Sequence, residues 1–566
     1  MKKVFLFSIA LAALMLGSCS SSEDLNGGLT GKDEGKTSYI AINLNNVGNA
    51  PTSRAGEYSQ DGGTYEDGTV SESGVKKVRF YFFDAVGNPY PLKDQKDQNA
   101  NYIESTPDMT GGTKHDQTIE QISKSVLIID GEKDEDPSTV VAVINPQTLV
   151  EGLGSNSLSL ADLRGKIANT YLTTQNEEFV MSNSVYKNTG NTEFCEAALT
   201  GHIASSSEAA EKSPVDIYVE RVAAKVTADV SNTDNGWTLD NDKKYRHPVG
   251  NFTDGENTYE VYAVVEGWGV ADESTTAPLF KNKLDDSWNS SSLGINPWTT
   301  EDYHRSFWEL NLANTKKNPL KNHAFNTYTT AFGSTPIYTL PNTPEIQLAT
   351  SDGALYTNDL TKILVAAKLV YKDGESYKPA EICTYKGVKY LGETSVLTVI
   401  ANEFKEQLFT KTTQDGTDVY TGITPADLEL DAQSTVGVKE YQVVAKLKEG
   451  TYYKKTGDNY VAATEDDKKV VSLEPADVRK EGMAYYYTTI HHLGNDGTLG
   501  AYGIVRNHVY KITIGNIAGF GTPVYDPNKV IEPQLPSDSK SYLAARINVL
   551  SWRVVTSTVD LDKTQK

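Results

Sequence analysis

Read for its alternation of apolar and polar positions, the chain is written mostly in strands. Lys76 to Phe83 alternates, then fills with aromatic residues before the turn cluster Asp84-Ala85-Val86-Gly87-Asn88-Pro89, which predicts a strand and a turn. Thr139 to Ile144 is an unbroken apolar, largely β-branched run stopped by Asn145-Pro146, the pattern of a central strand buried on both faces. Leu160 to Ile167 has helical spacing and predicts one short helix. Val215 to Val226 carries alternating apolar positions as far as Val219; a domain boundary is placed close to it, with the next clear strand near Tyr259. In the second half Val261–Gly267, Ile363–Tyr371, Ser395–Ile400, Tyr441–Leu447, Ala484–Ile490 and Val509–Ile514 read as strands. Their separations match an all-β sandwich with long loops at 272–335 and 448–470.

The two ends carry the most specific patterns. Lys2 and Lys3 precede an apolar run from Val4 to Leu16, too short to span a bilayer and flanked as a cleavable leader is, so residues 1–18 read as a signal peptide. Leu16-Gly17-Ser18-Cys19 resembles the lipobox of bacterial lipoproteins, in which the cysteine is acylated and the leader is cut just before it. A polar tether follows. Ser38 to Asn45 then places Ile40, Ile42 and Leu44 on one face and Tyr39, Ala41 and Asn43 on the other, a half-buried strand. Directly after it, Gly48 to Gly56 is turn-rich and sets Arg54 among small residues, a loop suited to a protease. At the opposite end the spacer Pro533 to Ser539 leads into Tyr542–Val555, a strand long enough to cross a whole sheet. Ile547 and Val549 share one of its faces and Leu550, Trp552 and Val554 the other, so the apolar phase switches, by a bulge or by burial on both faces.

Composition narrows the function classes. With 566 residues and 38% apolar content the chain can hold several domains with real cores. A net charge of −22, from 75 acidic against 53 basic residues, argues against a nucleic-acid partner, which demands a concentrated basic surface. Tyrosine, at 32, favours strands. Beyond Cys19 only Cys195 and Cys383 remain, so no disulfide framework underlies the fold, and their pairing is left open.

Catalytic patterns are absent from the sequence: it has no nucleophile elbow, no phosphate-cradling loop and no zinc motif, and no catalytic, cofactor or metal residue is assigned. His491-His492 reads as surface histidines at a strand end, because adjacent strand residues face opposite ways and do not readily share one metal. The acidic run Asp130 to Asp136 lacks calcium-loop spacing and reads as a solvated turn. Trp288, Trp298 and Trp308 either line a carbohydrate site or pack long loops against the sandwich, the second being favoured. No carboxylate pair for glycoside hydrolysis stands out.

Taken together the lipobox, Thr52-Ser53-Arg54-Ala55-Gly56, Val219-Glu220-Arg221-Val222-Ala223-Ala224-Lys225, Tyr338-Thr339-Leu340-Pro341-Asn342-Thr343, Val505-Arg506-Asn507-His508-Val509-Tyr510 and Val549-Leu550-Ser551-Trp552-Arg553-Val554 resemble the Bacteroidales fimbrillins, most closely the Mfa-type major subunit of the short, or minor, fimbria. The resemblance implies two transthyretin-like β-sandwich domains in tandem, with residues 19–54 a lipidated propeptide, 55–222 the N-terminal domain and 223–566 the C-terminal domain ending in a donor strand at about 541–566. It also implies the assembly route. An arginine-specific protease cuts between Arg54 and Ala55, removing lipid and first strand. The groove left by Ile40, Ile42 and Leu44 then takes the C-terminal strand of another copy, with Ile547, Val549, Leu550, Trp552 and Val554 as its anchors. Implied partners are further copies of the chain, anchor and tip subunits, the protease and the precursor's lipid. The implied location is the outer membrane, then an extracellular fimbrium with a role in adhesion and biofilm. Two alternatives stand beside the shaft subunit: a tip or accessory adhesin, and a surface lipoprotein that binds carbohydrate.

Overall fold

The computed structural model describes residues 37–47, 64–65, 68–92, 100–106, 119–130, 135–146, 153–154, 157–169, 178–187, 193–231, 236–281, 309, 320–333, 335–343, 360–432, 441–494, 498–533, 542–550 and 553–558. Cys19, Arg54, Ala55, Trp288, Trp298, Trp308, Trp552 and much of the loop at 272–335 lie outside them.

The principal strands are β1 (Thr37–Val47), β2 (Thr64–Tyr65), β3 (Val78–Phe83), β4 (Tyr102–Ser105), β5 (Ile119–Asp130), β6 (Thr139–Ile144), β7 (Met181–Asn183), β8 (Val215–Arg221), β9 (Ala224–Val230), β10 (Tyr245–Asp254), β11 (Asn257–Ala271), β12 (Ile337–Thr339), β13 (Lys362–Asp373), β14 (Met483–Thr489), β15 (Val509–Ala518), β16 (Tyr542–Leu550) and β17 (Arg553–Thr558). Helices among the described residues are few and short, and include α1 (Val70–Ser73), α2 (Leu160–Arg164), where the spacing predicts one, and α3 (Glu393–Phe404). The all-β expectation holds.

The N-terminal sheet has the order β4-β3-β6-β7-β8-β1-β5. It curls until its ends approach, with the Ser105 and Ser125 hydroxyls 3.4 Å apart across β4 and β5. At β6 both faces of the sheet are covered, which explains the unbroken apolar run there. Val140, Ala142 and Ile144 enter the core shared with β1, β5 and β8, while Val141 and Val143 enter a second core. That second core includes Ala277, Leu279, Phe280 and Leu340 from the other half of the chain.

The C-terminal half is a sandwich. One sheet runs β12-β9-β15-β16-β17-β2 and the other contains β10-β11-β13-β14 in that order. Ala224, Val226, Tyr510, Ile512 and Ile514 of the first meet Val261, Ala263, Val365, Ala367 and Tyr486 of the second in one buried cluster. Between β13 and β14 the chain departs to build a further body. Ile382–Tyr385, Val388–Leu391, Leu428–Asp431, Gln442–Leu447 and Pro475–Val478 form a sheet, packed with α3 around Cys383, Val396, Ile400, Val443 and Val478.

Several sequence expectations change here. Ser395–Ile400 is part of helix α3, not a strand. Its composition is β-branched, yet Val396 and Ile400 recur at a spacing of four and the insert's core takes that face; Gly392, at φ 83°, turns the chain into the helix. The stretch 448–470 is structured as a hairpin, Tyr453–Thr456 with Asn459–Ala462, followed by a helical turn at Glu465–Lys468. Three strands, β9, the two-residue Thr238–Leu239 and β10, also lie between β8 and Tyr259. In β9 the inward positions Ala224 and Ala228 give only a faint hydrophobic signal, and in β10 the ladder slips between Pro248 and Gly250.

Candidate assembly site

Strand β1 is held on both edges. Against β5 it pairs antiparallel along its length, from Thr37 opposite Asp130 to Val47 opposite Ile119. Against β8 it pairs parallel, from Ile42 opposite Val215 to Asn46 opposite Val219, and ahead of that ladder Tyr39 exchanges two backbone bonds with Ala204, 2.8 and 3.0 Å. The first of the described strands is therefore an interior strand of its sheet. Ile40 and Ile42 are 0% and 1% exposed in the N-terminal core, as the alternation predicts; Leu44 occupies the next position of the same phase. The Ser38 hydroxyl donates to Asp136 at 2.9 Å.

From β8 the chain passes through Val222 and Ala223, both fully buried, directly into β9 of the other sheet. Residues from three of the quoted motifs, Val219–Lys225, Tyr338–Thr343 and Val505–Tyr510, converge on this crossing. Arg506 binds Glu309 twice, from its backbone N–H (2.8 Å) and from Nε (2.7 Å), and spends its two terminal nitrogens on the carbonyls of Pro278 and Leu279. Lys281 pairs with Glu220 at 2.9 Å, and all four of these charged side chains are wholly buried. On the other side Glu72 of α1 receives Lys225 at 2.9 Å and the Tyr338 hydroxyl, while Arg221 donates to the Glu72 carbonyl at 2.5 Å and to the Asn507 side chain at 3.2 Å. Asn507 adopts φ 55°, a left-handed conformation that asparagine tolerates, and its N–H reaches the Ala223 carbonyl at 2.7 Å. That turn sets up the parallel pairing of β9 with β15, which begins at Lys225 opposite Val509.

Burying this many ions adds little net stability, because desolvation offsets the attraction, but loss of one partner strands the other charge. Such a cluster specifies geometry. Burial by itself raises the Glu72 carboxyl, yet hydrogen bonds from Tyr338, Lys225 and Thr69 hold it below the ordinary value. Burial pulls the Lys281 ammonium down against the pull of Glu220.

The C-terminal strand is seated on its own domain. β16 pairs antiparallel with β15, with Ile547 opposite Ile512, Val549 opposite Tyr510 and Leu550 opposite Val509. The sequence reads as one strand to Val555, whereas the structure ends β16 at Leu550 and returns as β17, which carries Val554 and pairs with β16. The switch in apolar phase falls at this reversal.

Among the described residues no group of three or more His, Cys, Asp and Glu side chains could hold a metal. His492 is buried, not at the surface: its Nδ1 lies 2.9 Å from the Tyr510 hydroxyl, which accepts the Val505 N–H at 2.8 Å, while His491 faces Tyr502. The junction claims one of the two imidazoles. Cys195 and Cys383 are both free and buried, Cys383 in the core of the insert, and burial pushes their thiols up to about 11 and about 12. Sequence reasoning missed the buried ion cluster, because the pairing of Arg506 with Glu309 or of Glu72 with Lys225 spans too much chain for spacing to reveal it.

Residues 479–558 match the family model described as major fimbrial subunit protein type IV, fimbrillin, C-terminal. The match begins beside β14, takes in the Arg506 turn and β15, and ends on the last residue of β17. Comparison with curated proteins finds no significant match. Solved structures similar to the chain include a candidate cell adhesion protein from Parabacteroides distasonis, with 12% identity over 90% of this chain and 96% of that one at a TM-score of 0.34. Another is the C-terminally truncated tip fimbrial protein Mfa3 from Porphyromonas gingivalis, with 10% identity over 90% and 99% at a TM-score of 0.29. A fimbrial assembly protein from Parabacteroides distasonis has 12% identity over 72% and 95% at a TM-score of 0.24. The segment that ends in the chain's C-terminal hairpin is thus similar to the C-terminal part of the fimbrillins.

Proposed function

We propose that the protein is a structural subunit of a bacterial surface fimbria, built for the shaft. It is exported as a lipoprotein acylated at Cys19 and cut between Arg54 and Ala55, which frees residues 55–566 from lipid and first strand together. The cut also takes β1 out of the N-terminal sheet, and the C-terminal strand of a neighbouring copy enters the vacated place. Growth is head to tail and does not close on itself. The shaft grows between anchor and tip subunits and moves the protein from the outer membrane to the cell exterior, where adhesion and biofilm formation are its roles.

The observation that carries this reading is the placement of β1, the strand just upstream of Arg54 in sequence, between β8 and β5 with Ile40 and Ile42 in the core. Without it two strand edges and a row of apolar pockets face solvent, a template for an incoming strand. Each large side chain returned to such a pocket is worth about 1.5–3 kcal/mol, so three or four anchors supply roughly 5–10 kcal/mol before ordering costs. A tip subunit accepts a strand without donating one; a C-terminal hairpin within the residues that match the fimbrillin C-terminal model favours the shaft.

Arginine-specific proteolysis of the purified precursor is expected to produce ladders of oligomers that SDS dissociates. Deleting residues 543–566 is expected to abolish them. A cleaved chain that stays a stable monomer contradicts the proposal.

A further inference from the structure

We infer that the outer face of the β10-β11-β13 sheet binds a sugar that carries a carboxylate, a uronic or sialic acid residue. Arg246 takes the carboxylate, and Tyr262 and Tyr377 take the sugar ring. In β11, Val261, Ala263 and Val265 enter the sandwich core, so Tyr262 and Val264 face outward. Strand pairing extends that outer face: Arg246 of β10 stands opposite Val264, Val370 of β13 opposite Tyr262, and Tyr377, in the strand Ser376–Pro379, opposite Lys372 of β13. Arg246 and Tyr377 thus sit on strands separated by β11 and β13, yet their side chains meet. The Arg246 Cζ lies 4.1 Å from the centre of the Tyr377 ring and 5.6 Å from that of Tyr262. The two rings stand edge to face at 5.5 Å. Tyr377 is 37% exposed, and Arg246 and Tyr262 are half-buried, so the group is open to solvent.

The chemistry of this patch calls for one anion. Neighbouring cations are already matched, Lys244 with Glu266 at 2.6 Å and Lys368 with Glu481 at 3.7 Å. Arg246 is in no ion pair among the described residues, and its buried Nε has no hydrogen-bond acceptor. A guanidinium held against aromatic rings keeps its charge and offers a rigid fork of donors, which fits a carboxylate through two parallel hydrogen bonds. The number of negative charges it accepts is limited by its surroundings. Glu260 and Glu266 close the two ends of the outward row Glu260, Tyr262, Val264, Glu266, so an acidic peptide or other extended polyanion is repelled while a single carboxylate is matched. What surrounds the guanidinium is apolar with polar tips: the two tyrosine rings, with Val264 and Val370 beside them. The C–H face of a pyranose packs on such rings while its hydroxyls reach the tyrosine and glutamate oxygens at the edge. None of these residues belongs to β1, β16 or β17, so the site is independent of the proposed assembly and supplies a ligand class for the adhesive role.

The test titrates the purified uncut chain with glucuronic acid, N-acetylneuraminic acid, glucose and acetate, read by ligand-observed NMR. At least one of the two acidic sugars is expected to bind, with glucose and acetate at least about tenfold weaker, because the first lacks the carboxylate and the second the ring. This comparison needs no variant. Arg246→Lys, which keeps the charge but loses the fork, and Tyr377→Ala, which removes the ring beneath it, are each expected to weaken the acidic sugar at least about tenfold. Lys411→Gln, which removes a cation paired with Asp418 in the insert, is expected to leave the affinity unchanged. Binding of neither acidic sugar, acetate or glucose bound as tightly as the acidic sugar, or an Arg246→Lys or Tyr377→Ala chain with the affinity of the Lys411→Gln chain overturns the site. No readout needs polymer, so a chain that binds the sugar and never polymerises after cleavage counts against the proposed function alone. A polymerising chain that ignores the sugar counts against the site alone.

Discussion

Ile42 stands opposite Val215 in the parallel ladder between β1 and β8, and both side chains enter the same N-terminal core. A strand placed there is bound by its edges and by its side chains at once, so its removal is costly until a replacement arrives.

This relationship gives a stability prediction that depends on processing. Ile42→Ala in the uncut chain is expected to cost about 2–5 kcal/mol, the range for a buried isoleucine reduced to alanine. Denaturant unfolding of the uncut protein measures it. The same substitution is expected to leave the cleaved protein unchanged, because β1 has gone.

At the crossing between the two halves, Glu309→Gln leaves the fully buried Arg506 without its counter-ion. The expected loss is about 3–5 kcal/mol. Calorimetry is expected to show the two halves, coupled in the wild type, separating into distinct transitions in the variant. Replacing both residues with apolar ones of similar volume, Glu309→Leu with Arg506→Met, is expected to recover much of the loss.

The same crossing responds to acid through Glu72. Its carboxyl titrates below the ordinary value in the folded protein, despite burial, because Tyr338, Lys225 and Thr69 hydrogen-bond its charged form. A depressed folded pKa means stability that is fully present above the unfolded value of about 4.3 and lost as pH falls through the folded one. Melting temperature is therefore expected to drop below about pH 4, and Glu72→Gln to flatten that part of the profile while lowering stability at neutral pH.

The insert between β13 and β14 has its own core, so damage there stays local. Ile400→Ala is expected to cost about 2–5 kcal/mol in the insert. Hydrogen exchange should rise in α3 and in Gln442–Leu447 while β1, β5 and β8 keep their protection.

What the sequence makes legible, and what it does not, follows the range of the interactions. β1, β3 and β6 are readable because a period of two, or an unbroken apolar run, is written into adjacent residues. Helix α3 is misread because its β-branched content outweighs a four-residue period that only the packed insert selects. The motif residues Glu220, Arg221, Tyr338 and Arg506 are visible as motifs, but their common task is invisible: the partners Glu72, Glu309 and Lys281 are brought to them by the crossing of two sheets. The reversal between β16 and β17 leaves a trace, the switch of apolar phase after Val549, which a bulge explains equally well until the pairing is seen.

The account turns on whether the place of β1 is emptied and refilled. Hydrogen exchange of Val215–Arg221 and Ile119–Asp130 reads this directly in three species: the uncut chain, the cleaved chain lacking residues 543–566, and the assembled product of the cleaved full chain. The expected result is protection in the first, its loss in the second and its return in the third. Protection that persists in the cleaved, truncated chain, or fails to return on assembly, contradicts it.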